Sequence, residues 1–180
     1  RPVLRTEVDL DAYKRQFVEG LGIAAEHAML AQPEVLVMGM SLEHILHGIE
    51  PIRRLMVDLE PRVSAPWATW QDAAPAALRK VGAKRIGLLT PFDRRGNENA
   101  RRMFEDLGYE VVTTFGFACA NALHIAHVPD EAKERAIVER LATKANRLDA
   151  VVQCGTNMSL VDVAERLEPR IGVPLLGINA

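Results

Sequence analysis

Short apolar, β-branched runs recur along this chain, each closed by a turn of small residues and followed by a longer amphipathic stretch. That alternation constrains the fold more than any other feature. Strands buried on both faces need helices on either side, so the pattern predicts βαβ units and a parallel sheet. From Asp11 to Met29, Tyr13, Phe17 and Leu21 recur at four-residue steps and Ala24, Ala25 and Ala28 continue the face, which predicts a helix. Glu34–Met40 predicts a buried strand. Ser41 then caps a helix through Ile45, Leu46 and Ile49, interrupted at Pro51. Arg62–Ala65 is a weak strand, and Trp70–Val81 a helix stopped by Gly82. Lys84–Thr90 is the clearest strand. A polar loop, Pro91–Gly96, leads from it to a helix carrying Ala100, Met103, Phe104 and Leu107. Tyr109–Thr114 predicts a strand, and Pro129 with Asp130 opens a charged helix to about Asn146. Ala150–Gly155 is a strand, followed by a helix to Ile171 and the strand Val173–Ile178.

Composition narrows the classes. Of 180 residues, 48% are hydrophobic, enough for a sizeable core and incompatible with a disordered chain. Lys and Arg number 22 against 24 Asp and Glu, with no basic block, so the chain lacks the cationic face that nucleic-acid binding needs. Aromatics at 5% are too few for a base-stacking platform. No apolar run is long enough to cross a bilayer, and no charged-then-apolar leader opens the chain. Two cysteines, Cys119 and Cys154, make no disulfide framework, so the expected compartment is the reducing cytoplasm. The chain opens Arg1-Pro2-Val3 and ends straight after an apolar run, which reads as a chain cut at both ends.

Two segments echo one another. Glu34 to Glu43 and Asp149 to Leu160 each carry an acidic residue, an apolar strand, a turn of small residues, a Ser-Leu pair and then a helix with a Glu-Pro, at Glu50-Pro51 and Glu168-Pro169. Duplication predicts two pseudo-symmetric α/β lobes, each a parallel sheet flanked by helices: residues 1–75, lacking an N-terminal strand, and residues 76–180, carrying Cys154. Gly39 and Cys154 would then face each other from opposite lobes. Chance similarity between two ordinary βα turns is the other reading. Strand C-termini are where parallel sheets place ligands, beside helix N-termini.

Cys154 stands where a strand meets a helix. A helix dipole and free N–H groups there would lower its pKa toward neutrality and make it a proton donor and acceptor at carbon. Gly155 permits close approach, and Thr156 and Asn157 add donors to a pocket for a carboxylate. The plain alternative is a buried thiol that packs as a small hydrophobe. Cys119, between small apolar residues, reads as core or pocket lining. The pairs His44/His47 and His124/His127 have metal-compatible spacing but no third ligand, so a helix-surface reading is preferred and no metal is expected. His124 and His127 stay open as proton carriers at a cleft edge. There is no G-x-G-x-x-G, no Walker A loop and no C-x-x-C.

These features together resemble the aspartate/glutamate racemase superfamily, within it the branch of maleate cis-trans isomerases and arylmalonate decarboxylases. The likeness rests on the paired strand–turn–helix motifs, the strand Lys84–Thr90 followed by Pro91-Phe92-Asp93 and Asn97-Glu98, and Cys154-Gly155, from about Asp9 to Ala180. Racemases of this superfamily use one cysteine per lobe as acid and base, and the isomerases of the branch use one as nucleophile. Here Gly39 matches the first cysteine position and Cys154 the second, the arrangement of arylmalonate decarboxylases. The resemblance implies a cofactor-independent lyase acting on a small malonate-like acid. One carboxylate leaves as carbon dioxide, and the enediolate takes its proton from Cys154. Gly39, Ser41, Gly155 and Thr156 would cradle the retained carboxylate.

Two departures bear on the substrate. The family has Thr at the position of Met40 and Tyr at that of Phe92. Each lost hydroxyl removes a donor worth about 1.5–3 kcal/mol to a charged partner. Met40 and Phe92 imply a more apolar acid, or replacement by Thr156 or Asn157, or loss of the family activity. Isomerisation of maleate, racemisation of an amino or hydroxy acid, and silent binding of a small acid stand as the alternatives. No cofactor, nucleic acid or membrane partner is expected, and a homo-oligomer stays open.

Overall fold

The computed structural model of the protein describes residues 10–40 and 42–178, with side chains from residue 16 onward. Ser41, Asn179 and the side chain of Tyr13 lie outside the described residues. The chain divides into two compact units, and it crosses between them after Val37, Ile52 and Trp67.

The smaller unit holds the residues up to Val37 together with Arg53–Trp67. Its long helix α1 (Leu10–Met29) lies where a helix is predicted, with Ala25 of the predicted face buried and Ala24 and Ala28 exposed. Arg62, at the end of a 3₁₀ turn over Glu60–Arg62, pairs with Glu26 of α1 at 2.7 Å. Gly22 makes room for that guanidinium, since a Cβ there would fall 1.6 Å from Arg62 Nη1. Strand β1 is short (Leu36–Val37), and the Leu36 N–H donates to the Pro66 carbonyl at 2.9 Å. Val35 and Val37 are exposed, so the predicted buried strand over 34–40 is half-exposed and two residues long. The predicted strand at Arg62–Ala65 moves on to β2 (Trp67–Ala68), because Pro61 shapes the 3₁₀ turn that occupies its start.

The helix expected from Ser41 begins later. Residues 43–48 form turns, and α2 runs Ile49–Leu59. Gly48 sits at φ +79°, which breaks any helix through it, and the Asp106 carboxylate accepts the freed Ile49 N–H at 3.1 Å. Pro51 therefore lies in the first turn of α2, where a missing N–H costs nothing, and does not interrupt a helix.

The larger unit, Met38–Ile52 with Ala68–Ala180, contains a four-stranded sheet in the order β4-β3-β5-β6: β3 is Arg85–Thr90, β4 Glu110–Gly116, β5 Ala150–Gln153 and β6 Leu175–Gly177. The three strand pairings are parallel, as predicted. Helices make the crossovers: α4 (Arg94–Asp106) from β3 to β4 and α7 (Val161–Ile171) from β5 to β6. Between β4 and β5 come α5 (Ala122–Ala126) and α6 (Asp130–Ala136), the latter passing into a π-helical turn at Ile137–Leu141. The central strands are closed to solvent on both faces, with Ile86, Leu88, Leu89, Val151 and Val152 fully buried. Helix α4 contributes Ala100, Met103 and Phe104 to this core, and α7 contributes Val163 and Leu167. The boundary expected between residues 75 and 76 falls instead inside α3 (Trp70–Lys80), where the Tyr109 hydroxyl donates to the Pro75 carbonyl at 3.2 Å. Among the described residues no helix is long and apolar enough to cross a membrane.

Register between the two central strands is locked at their starts. The Asp149 carboxylate accepts the N–H groups of both Lys84 and Arg85 at 2.8 Å, and these bonds hold its pKa below the ordinary aspartate value. A lowered native pKa means the bonds stabilise the fold above the unfolded pKa, and that this contribution is lost as pH falls through the native value. Replacement of Asp149 by Ala is expected to cost about 1 kcal/mol at neutral pH in urea unfolding, after allowance for the site's exposure. The difference from wild type should shrink in acid.

Candidate active site

The sheet's own connectivity marks the place to look. From β3 the chain crosses to β4 on one side, then passes over to β5 on the other. Helices wound in opposite directions leave a crevice at such a point, beyond the carboxyl ends of the two central strands. Pro91-Phe92 leaves β3 there, and Cys154-Gly155 leaves β5. The Cys154 N–H donates to the Leu89 carbonyl at 3.0 Å, which continues the β3–β5 ladder by one rung and fixes the thiol at the tip.

The turn after Cys154 is built from both backbone and side chain. Gly155 sits at φ +93°, and a Cβ there would meet Pro91 Cγ at 2.6 Å and Cδ at 2.7 Å. Only glycine accepts both the backbone angle and the close packing. Gln153, fully buried, donates through Nε2 to the carbonyls of Cys154 and Gly155 at 2.6 and 2.8 Å, while its Oε1 accepts the Ile178 N–H. Lys133, buried in α6, donates to the Ser159 carbonyl at 2.7 Å and pairs with Asp130, which ties down the far end of the same loop.

Phe92, also buried, completes this corner: its Cε1 lies 3.5 Å from where a Gly155 Cβ would be. The Phe92 N–H is held by the Thr90 hydroxyl at 3.0 Å. The His44 ring stacks on Phe92 at 4.7 Å with an 18° interplanar angle. A hollow of about 300 Å³ shares Phe92 and is further lined by Asp93, Asn97, Arg101, Thr114 and Ala118, without reaching Cys154.

The thiol departs from expectation. Cys154 is fully buried, and its pKa stands well above the ordinary cysteine value. Desolvation is the main cause, followed by the negative charge of Glu43. The predicted lowering by a helix dipole fails: α7 starts only at Val161, and desolvation sets the direction of the shift. The Cys154 N–H, bonded in the ladder, is not a free donor either.

The remaining predicted residues fall as follows. Gly39 is exposed, with open space where a side chain would project, and belongs to the same compact unit as Cys154. Met40 and Thr156 are half-buried, and Ser41 lies outside the described residues. Cys154, Gly155 and Phe92 come together. Cys119 is half-buried with its thiol pKa raised by desolvation, as a lining residue's would be, while His124 and His127 are exposed. Sequence reasoning missed Glu43, although an acid between Leu42 and Ile45, both core residues, is the signal that marks it. Gln153 and Lys133 gave no comparable signal.

Comparisons place this geometry among known proteins. The arylmalonate decarboxylase family model matches residues 6–179. A crystal structure of arylmalonate decarboxylase superposes with a TM-score of 0.79 at 18% identity, covering 94% of this chain and 72% of that one. The maleate cis-trans isomerase of Nocardia farcinica bound to TRIS gives 0.74 at 20% identity, covering 93% and 67%. A mutant of the same isomerase, with a covalently bound succinylcysteine intermediate, gives 0.71 at 20% identity over the same shares. No curated protein matches the sequence.

The two glycines predict opposite outcomes. Gly155→Ala should lower stability by about 1–3 kcal/mol through backbone strain and overlap with Pro91. Gly39→Ala should stay within about 0.5 kcal/mol of wild type. Chemical denaturation of the two variants checks both.

Proposed function

The chain belongs to the arylmalonate decarboxylase family, and from that premise we propose that it is a cofactor-independent decarboxylase of a small, apolar malonate-like acid, with Cys154 as proton donor. The observation that carries this reading is the state of the thiol. A nucleophilic cysteine works as thiolate and needs a lowered pKa. Here burial, and after it the negative charge of Glu43, push the thiol pKa up, which favours the protonated form. A protonated thiol is suited to deliver that proton to carbon, and unsuited to attack as a nucleophile.

In the proposed reaction the bond between the α-carbon and one carboxylate breaks, and its electron pair passes into the α-carbon and the retained carboxylate as an enediolate. Carbon dioxide leaves. Loss of water around the departing carboxylate favours the neutral product over the charged one. The retained carboxylate is assigned to the backbone around Gly39, Ser41, Gly155 and Thr156, where donors preorganised for the enediolate lower the barrier. The Cys154 S–H proton then passes to the α-carbon, and the thiolate is reprotonated from solvent as product leaves. One acid on one face delivers one stereochemical outcome. Phe92 and Met40, which lack hydroxyls, support an apolar substituent on that carbon.

Isomerisation of maleate is the second reading, supported by the similar fold of the Nocardia farcinica isomerase. It requires a covalent sulfur–carbon bond and hence a readily ionised Cys154.

Incubation of the full-length protein with substituted malonates in deuterated water tests the proposal. Carbon dioxide release with one deuterium at the α-carbon is expected, and Cys154→Ser should slow it by about 10²–10⁴-fold. Conversion of maleate, or α-deuteration without carbon dioxide release, would overturn decarboxylation in favour of isomerisation or racemisation. Binding of these acids without turnover would leave a silent binder.

A further inference from the structure

Gln153 is fully buried at the end of β5, directly before Cys154, in a central strand where a polar side chain costs free energy unless it is bonded. Val151 and Val152 beside it show what packing alone requires there. The Gln153 amide nitrogen carries two hydrogens and donates to two successive carbonyls, those of Cys154 at 2.6 Å and Gly155 at 2.8 Å. Its Oε1 accepts the Ile178 N–H at 3.4 Å, just past the end of β6, which fixes which way round the amide sits. The Gly155 carbonyl also accepts the Met158 N–H at 3.0 Å and so closes the turn that follows.

Two carbonyls drawn onto one atom dictate where their partner donors go. In a trans peptide unit the N–H points opposite to the C=O. The Cys154 carbonyl shares its unit with the Gly155 N–H, and the Gly155 carbonyl shares its unit with the Thr156 N–H. Both N–H groups therefore turn away from the Gln153 amide, to one side of the chain. Successive N–H groups turned to one side form a concavity that suits an anion, and they need a left-handed residue of the kind Gly155 supplies at φ +93°.

We propose that Gln153 is a positioning residue that builds the anion cradle: by drawing the Cys154 and Gly155 carbonyls onto its amide nitrogen, it holds the Gly155 and Thr156 N–H groups together as paired donors for the acid's retained carboxylate. This deepens the decarboxylase reading and rests on it. Negative charge on that carboxylate grows as carbon dioxide leaves, and donors fixed in advance need no reorganisation at that moment. Without the amide the two peptide units can rotate, and a carbonyl turned into the cradle would repel the same anion. Met40 and Phe92 bring no hydroxyl to the cradle, so backbone donors carry more of its work.

The test follows the backbone amides of isotope-labelled full-length protein by NMR as acetate or phenylacetate is added, acids with no second carboxylate to lose. In wild type the Gly155 and Thr156 N–H signals should both move downfield and saturate together. Gln153→Met, which keeps the volume and removes the donor, should bind these acids at least about tenfold more weakly. Gln153→Glu, equal in size but only an acceptor when ionised, should lose the response. With phenylmalonate the Met variant should lose about 10²–10³-fold in kcat, the scale of one oxyanion donor, with a smaller change in KM. Loss of stability alone would leave the amide response of the folded protein intact. A Met variant with native circular dichroism, wild-type amide shifts and wild-type kcat would overturn the proposal. Should both variants fail to fold, wild type decides: the Gln153 side-chain hydrogens should be protected from exchange with water and both backbone signals should move, and failure of either overturns the assignment. If wild type releases no carbon dioxide from phenylmalonate while both N–H signals still respond, the decarboxylase reading falls and the cradle stands.

Discussion

The parallel pairing of β3 with β5 is the constraint on which the rest depends. Its register places Leu89 beside Gln153 and carries the Cys154 N–H onto the Leu89 carbonyl. Because the chain winds to opposite sides from these two strands, their shared end is the point where the crossovers diverge. A one-residue slip would exchange the two faces of β5, and it would move the sulfur from that position. Asp149 holds that register by accepting the N–H groups of Lys84 and Arg85, while Gln153 at the other end fixes the turn after Cys154.

From that corner the chemistry is decided by two opposing electrostatic influences. A helix terminus close to the sulfur would stabilise a thiolate. Distance from water and a carboxylate neighbour destabilise it. The loop from Cys154 to Leu160 settles the contest, since it separates the sulfur from the start of α7 while Gln153 and Lys133 hold the loop in place. Desolvation therefore sets the direction of the thiol's pKa, which stands above the ordinary cysteine value.

Much of the framework was legible in the sequence because it rests on local pattern. The strand at Lys84–Thr90, the helix carrying Ala100, Met103 and Phe104, and the strand leading into Cys154 each have a periodicity that any parallel sheet with helical cover would require. The errors fall where a single residue outweighs the pattern. Gly48, in a left-handed conformation, stops a helix that the apolar spacing of 42–49 invites, and Pro51 then begins α2 instead of breaking it. Val35 and Val37 suit a buried strand by type, but pairing extends over two residues and leaves them in solvent.

By itself, then, the sequence determined the layered α/β class, the parallel strands and the position of Cys154-Gly155 at a strand end, because hydrophobic period and the conformational freedom of glycine act over a few neighbouring residues. Tertiary structure alone decided the direction in which the Cys154 pKa moves. That depends on how little water reaches the sulfur and on the charge of Glu43, more than a hundred positions away in the chain. Neither solvent exclusion nor a charge's distance across the fold has any local signature in the order of residues.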